Sequence, residues 1–189
     1  MLELTLKKEL IVNKTFCRAI GVCAFIILTA LGAFVRIPLP FTPVPLTLQT
    51  FFVLLGAALL GANLGAFTQV GYLFLGACGL PVFTASGSGL LYFSGPTTGY
   101  LLGFILASFF AGRFIEKSRD NLFLAVVLLF AADTILLSCG ALWLKNILGL
   151  SLAKAFFLGF LPFIPGDLLK ALAAAIIYLR LKPRARNIF

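Results

Sequence analysis

Phe163-Ile164-Pro165-Gly166-Asp167-Leu168-Leu169-Lys170 opens the last long apolar segment of a chain whose apolar runs are otherwise almost free of charge. Asp167 and Lys170 are three residues apart, so a helix places them on one face. A carboxylate and an ammonium inside a membrane-length segment are costly unless they are paired or wet. Pro162, Pro165 and Gly166 stand just upstream and break the helical pattern. The stretch reads as one wall of a small-molecule site in a membrane protein.

The composition supports the membrane setting. Hydrophobic residues make up 61% of the 189, charged residues 11%, and the mean hydropathy is +1.12. A soluble domain carries about 25% charged residues. The chain therefore reads as one integral-membrane domain over residues 1–189. Its formal charge is +9, from 15 basic and 6 acidic residues. Basic residues sit at the ends of apolar runs, as the positive-inside rule expects. No patch interleaves them with aromatics, which argues against nucleic-acid binding. Cys17, Cys23, Cys78 and Cys139 lie in apolar runs and form no CxxC pair. Histidine is absent. Neither a metal site nor a redox pair is indicated, and the commonest general base is missing.

Six spans are expected, at about residues 16–35, 47–61, 64–80, 97–114, 121–144 and 157–180. The first is long enough to cross a membrane and is read as a retained helix rather than a signal peptide. The charge-free run 47–83 is too long for one span, and Gly61-Ala62-Asn63-Leu64-Gly65 is its natural break. Residues 36–46 hold four prolines, which exclude helix interior. This apolar segment is either a stiff interfacial connector or a loop folded over a cavity mouth. Residues 80–96 are irregular, uncharged, and rich in glycine and hydroxyl groups. Their Ser-Gly-Ser-Gly is neither a phosphate loop nor a nucleophile elbow, but it suits a pocket lining. Asp133, inside the fifth span, is read as a buried carboxylate hydrogen-bonded to Thr134, Ser138 or a neighbouring helix.

Charge asymmetry sets the expected orientation. With both termini inside, the cytoplasmic segments hold Lys7, Lys8, Lys14, Arg18, Arg113, Lys117, Arg119, Arg180, Lys182, Arg184 and Arg186. The outer segments hold Arg36, Lys145 and Lys154. Loops 36–46 and 80–96 then both lie outside. Asp167 lies about 20 Å from Arg180 at 1.5 Å per residue, in the outer half of the sixth span. Three unusual features thus converge on one face.

The pair admits two readings. It is a self-contained ion pair, or it grips a polar ligand whose apolar part is enclosed by Phe, Leu, Tyr and Pro. An enzyme is not indicated, since no nucleophile has an adjacent base. No ATP-binding motif is present, so the energy for any pumping comes from a partner or an ion gradient.

Several stretches together resemble the BioY biotin transporters. They are Ile37-Pro38 with Phe41-Thr42-Pro43-Val44-Pro45-Leu46-Thr47-Leu48-Gln49-Thr50; Leu59-Leu60-Gly61-Ala62 with Gly65; Gly79-Leu80-Pro81-Val82-Phe83; Gly95-Pro96-Thr97-Thr98-Gly99-Tyr100-Leu101-Leu102-Gly103-Phe104; and the opening stretch itself. The likeness runs from about Arg18 to Arg180. It implies an all-α, six-helix substrate-binding S component of an energy-coupling factor transporter, multi-pass in the cell (inner) membrane among lipid, with both termini cytoplasmic. Such subunits bind biotin and work with a membrane T component and two ATPases. ATP is used by those partners, and no cofactor or metal is expected on this chain. The family's helix-six pair carries over to Asp167 and Lys170. The ureido ring of biotin has two N–H donors for a carboxylate and a C=O acceptor for an ammonium, although the carboxylate tail of biotin would attract Lys170 as well. The implied binding set adds Gly166, Tyr100, Thr97, Phe41 and Gln49, with Ser86, Gly87 and Ser88 from the third loop.

The chain departs from the family at Ala85-Ser86-Gly87-Ser88-Gly89, where paired glycines and sometimes Asn are usual, and at Thr98, usually Gly. Ser86 or Ser88 then supplies the polar contact. The T-component contact of such subunits uses small residues four apart on the first helix, a role Ala19 and Cys23 fit. Two alternatives stand beside this reading: an S component for a different vitamin, and a membrane enzyme or assembly factor in which Asp167 and Lys170 are structural.

Overall fold

The computed structural model describes residues 14–188, so the expected inner lysines Lys7 and Lys8 lie outside the described residues. Helix α1 (Lys14–Phe34) has 21 residues, about 32 Å at 1.5 Å each, enough to cross a hydrocarbon core. A two-residue strand pair follows, β1 (Arg36–Ile37) and β2 (Leu46–Thr47), antiparallel, with Arg36 opposite Thr47 and Ile37 opposite Leu46. The proline-rich segment is therefore the turn of a short hairpin. Leu48 N–H donates to the carbonyls of Val35 (3.0 Å) and Gly32 (3.2 Å), tying the hairpin to the end of α1.

Helix α2 (Gln49–Leu60) and helix α3 (Ala62–Ala77) have 12 and 16 residues. Both are shorter than the arms the sequence suggests, because β2 takes Leu46 and Thr47 while a turn ends α3 at Cys78. Gly61 alone makes the break. Its φ of 82° lies in the region closed to most side chains, and Asn63 and Leu64 are already helical. Nine residues of α2 are buried. A helix apolar all round belongs in a protein interior. Surrounded by protein rather than lipid, α2 does not need full spanning length.

Residues 80–96 form two 3-10 turns, Thr84–Ser86 and Leu90–Ser94. Phe83 pins them: it is fully buried, stacks on Tyr92 at 4.7 Å and meets Tyr72 edge-on at 5.5 Å. Helix α4 (Thr98–Phe114) leads through a 3-10 turn (Ile115–Ser118) to helix α5 (Leu122–Ile147), which Asn121 caps by accepting from Leu124 N–H at 3.0 Å. The last apolar run is not one helix. Helix α6 (Leu152–Gly159), capped by Ser151, occupies much of the expected loop 146–156. A 3-10 turn (Leu161–Phe163) interrupts the chain at Pro162, and helix α7 (Ile164–Ile188) then begins. Pro165 falls in its first turn, where a missing N–H costs nothing.

Six longer helices thus form the bundle among the described residues, with α6 as a short seventh. Four segments of the described residues are long and apolar enough to cross a membrane: Lys14–Phe34, Thr98–Ser118, Leu122–Ile147 and Leu152–Pro183. Outward-facing Phe67, Phe74, Phe123 and Leu169 are more than half exposed, as lipid contact requires. The core has an aromatic half under the loops, around Tyr72, Phe83, Tyr100, Phe104 and Phe163. Its other half is built on small residues. Ala171, Ala174 and Ala175 are fully buried and let α7 approach α2 and α5 closely.

Gly112 of α4 lies against the backbone of Gly61 and Ala62, so a methyl group there would collide with main chain. Gly112→Ala is expected to destabilise the protein by roughly 1–3 kcal/mol, read as a lower melting midpoint in detergent. An unchanged midpoint would show that the α2–α3 turn is not held by this contact.

Candidate ligand-binding site

A cavity of about 490 Å³, counting its open mouth, lies within the aromatic half of the bundle. The hairpin supplies one wall through Val44, Pro45, Leu46 and Thr47; Thr84 and Tyr92 of the second loop supply another. The proline-rich segment is thus a cavity-mouth loop. Leu101, Phe104, Leu136, Leu137 and Phe163 make the rest largely apolar.

The polar end is built by α2 and α7. Lys170 Nζ lies 2.6 Å from Asp167 Oδ1. Thr50 completes a triangle: its hydroxyl accepts from Lys170 Nζ at 2.9 Å and donates to Asp167 Oδ1 at 3.2 Å. One hydroxyl has one proton and two lone pairs, so it can serve both charges at once. Asp167 is 1% exposed, and the Lys170 side chain 12%. Two of the three ammonium donors of Lys170 are engaged, and the hydrogen bonds found for Asp167 fall on Oδ1. These bonds leave one ammonium donor and Oδ2 unused, on two residues that line the cavity. The ion pair is real, and it is not closed.

The other expected residues divide. Gln49, Thr97 and Tyr100 line the same cavity. Gln49 Nε2 donates to the Tyr72 hydroxyl at 2.6 Å, and Tyr72 donates to Val82 O at 3.0 Å. Tyr100 donates to Gly159 O at 2.5 Å, tying α4 to α6. Gly166 lies behind the wall, where the Leu46 side chain packs against it. Ser86, Gly87 and Ser88 do not line the cavity. Gly87 instead shapes the turn under the Tyr92 ring, donating to Thr84 O and accepting from Phe83 N–H. Phe41 is 54% exposed at the hairpin turn. Thr98 turns its hydroxyl back to Phe93 O at 2.8 Å, so it braces the loop. Ala19 and Cys23 are exposed on α1.

The sequence reading missed Thr50, Thr84 and Tyr92. Thr50 adjoins Gln49 in a quoted motif, but its partners lie 117 and 120 residues away. Thr84 and Tyr92 meet at 2.5 Å across the second loop. Of the partners expected for Asp133, the two hydroxyls turn elsewhere, and the group that acts on it from a neighbouring helix is Asp167 of α7. Thr134 donates to Ala131 O and Ser138 to Thr134 O. Asp133 is fully buried, neither of its oxygens has a hydrogen-bond partner among the described residues, and it lies close enough to Asp167 and Lys170 to feel both charges.

Comparison with known proteins identifies the family. The sequence model described as the BioY family matches residues 7–187. A Pyrococcus horikoshii protein named "Probable biotin transporter BioY" is 41% identical over 161 residues, covering 85% of this chain and 93% of its own. The "Biotin transporter BioY" of Thermotoga maritima is 40% identical over 158 residues, covering 84% and 91%. Among solved structures, a crystal structure of "the S-component for biotin from an ECF-type ABC transporter" superposes with a TM-score of 0.85 at 28% identity, covering 91% of this chain and 94% of that one. With its family pattern matched along almost the whole length and its fold shared, the chain belongs to the BioY family.

Proposed function

We propose that this protein captures biotin for uptake across the cell membrane, as the S component of an energy-coupling factor transporter. The Asp167–Thr50–Lys170 triangle at the polar end of an apolar cavity carries the reading. Asp167 Oδ2 accepts from a ureido N–H, and the remaining Lys170 donor meets the ureido oxygen. Thr50 keeps both charges in place while the ligand engages them. Phe163, Leu136, Leu137, Leu101 and Phe104 enclose the apolar ring and tail. Gln49, Thr97 and Tyr100 shape the wall. Phe41, Ser86, Gly87, Ser88 and Gly166 act from the surrounding loops and backing positions.

Both termini face the cytoplasm in this reading. Lys182 reaches Asp120 at 3.0 Å and the Arg119 carbonyl, gathering the basic ends of α4 and α7. At the cavity end, Trp143 Nε1 donates to Gly95 O at 2.9 Å, tying α5 to the second loop. In this reading the cavity opens at the outer end of the bundle. A T component docks in the membrane, with exposed Ala19 and Cys23 on α1 as its contact, and two ATPases supply the energy.

Labelled biotin should bind the purified protein at nanomolar to micromolar concentration; no binding in that range defeats the reading. Lys170→Ala should abolish binding. It also strands a buried carboxylate, which costs about 3–5 kcal/mol. The double variant Asp167→Asn, Lys170→Met removes both charges, so it should be the more stable of the two and still fail to bind. Retained binding in the folded double variant would sink the site assignment. Thr50→Val keeps shape but loses two hydrogen bonds to charged groups, and should weaken biotin by roughly 10- to 100-fold, measured by titration calorimetry.

A further inference from the structure

The triangle uses only the head of such a ligand, and the hairpin brings a third cation to the mouth. Arg36 stands directly opposite Thr47 in the strand pair. Directly opposed residues project to the same face of a sheet. Thr47 lines the cavity, so Arg36 leaves β1 on the cavity side. A second hollow, about 770 Å³ with its open part, adjoins the first and is lined by Arg36. Pro45, Thr84, Tyr92 and Thr97 line both hollows, so the one holding Lys170 and the one holding Arg36 adjoin across a shared wall.

The charges in this space are unevenly placed. Asp167 is the one acidic residue lining either hollow, and it is held by Lys170 and Thr50. Arg36 makes no ion pair among the described residues. Lys145 and Lys154 are the other charged residues of the expected outer segments. A planar guanidinium matches a carboxylate through two parallel N–H bonds, and a cation at a cleft mouth raises the encounter rate of an anion.

We propose that Arg36 is a specificity-determining residue that takes the terminal carboxylate of the ligand in the mouth hollow, while an uncharged polar head occupies the Asp167–Thr50–Lys170 end. This rests on the biotin reading and deepens it: the ligand class becomes a ureido head with a free carboxylate tail. Conjugates in which that carboxylate is esterified or amidated are poorer ligands. The hairpin therefore has two jobs. Thr47 closes the cavity wall and Arg36 reads the ligand's charge.

The test is calorimetric titration of biotin and of biotin methyl ester into the unmodified protein, Arg36→Gln and Arg36→Lys, at low and at raised salt. Arg36 is exposed, so these variants should keep the fold. The unmodified protein should prefer biotin over its ester by roughly 3- to 30-fold, the span between an exposed ion pair and a well-formed charged hydrogen bond. That preference should shrink with salt, vanish in Arg36→Gln through loss of biotin affinity alone, and partly survive in Arg36→Lys. A preference for biotin that persists undiminished in Arg36→Gln overturns this inference alone. If neither compound binds the unmodified protein, the biotin reading falls and this inference falls with it.

Discussion

A carboxylate and an ammonium can remain charged inside an apolar bundle only where each is balanced and hydrogen-bonded. In this protein one threonine hydroxyl makes that possible for both. Thr50 accepts from Lys170 and donates to Asp167, and it stands in the first turn of α2. The triangle therefore fixes α2 against α7 in rotation and in height. Ala171, Ala174 and Ala175 continue the same contact below it, where small side chains let the helices close. The polar site and the packing of the small-residue half are parts of one interface.

The aromatic half is organised differently. Tyr72, Phe83, Tyr100, Phe104 and Phe163 pack into one cluster, and Tyr100, Phe104 and Phe163 of it line the cavity. Hydrogen bonds at the edges keep that space open and defined. Tyr100 is anchored on Gly159, Tyr72 on Val82 and Trp143 on Gly95. Each bond joins a helix to a loop or a neighbouring element, so the two irregular segments are part of the wall rather than covers laid over it.

Much of this was legible beforehand. Hydrophobic runs with basic ends marked the helices, because lipid tolerates little else. Glycine punctuation marked the α2–α3 turn, and four prolines excluded helix from residues 36–46. The break before α7 was harder to see. Pro162 and Pro165 were visible, but an apolar run gives no sign of where helix stops while hydrophobicity continues. The place of Ser86 and Ser88, off the cavity wall, was hard to see for a related reason. A hydroxyl in a loop looks like a ligand contact until the backbone decides which way it points, and here Ala85 and Ser86 take positive φ angles of 59° and 58° in a tight turn.

Sequence alone determined the solvent, the helix number, the irregular segments and the chemical oddity of Asp167 with Lys170. These depend on composition and on local spacing, which a linear chain displays openly. Tertiary structure decided what the oddity does. Only folding brings Thr50 across 117 residues to share its hydroxyl between the two charges, sets Asp133 near them without a hydrogen-bond partner of its own, and turns Tyr92 and the hairpin inward to make a cavity. Such contacts join residues with no fixed separation in sequence, so no spacing rule contains them. The pair first seen as a cost to be explained is, in three dimensions, the polar end of a space shaped to receive something.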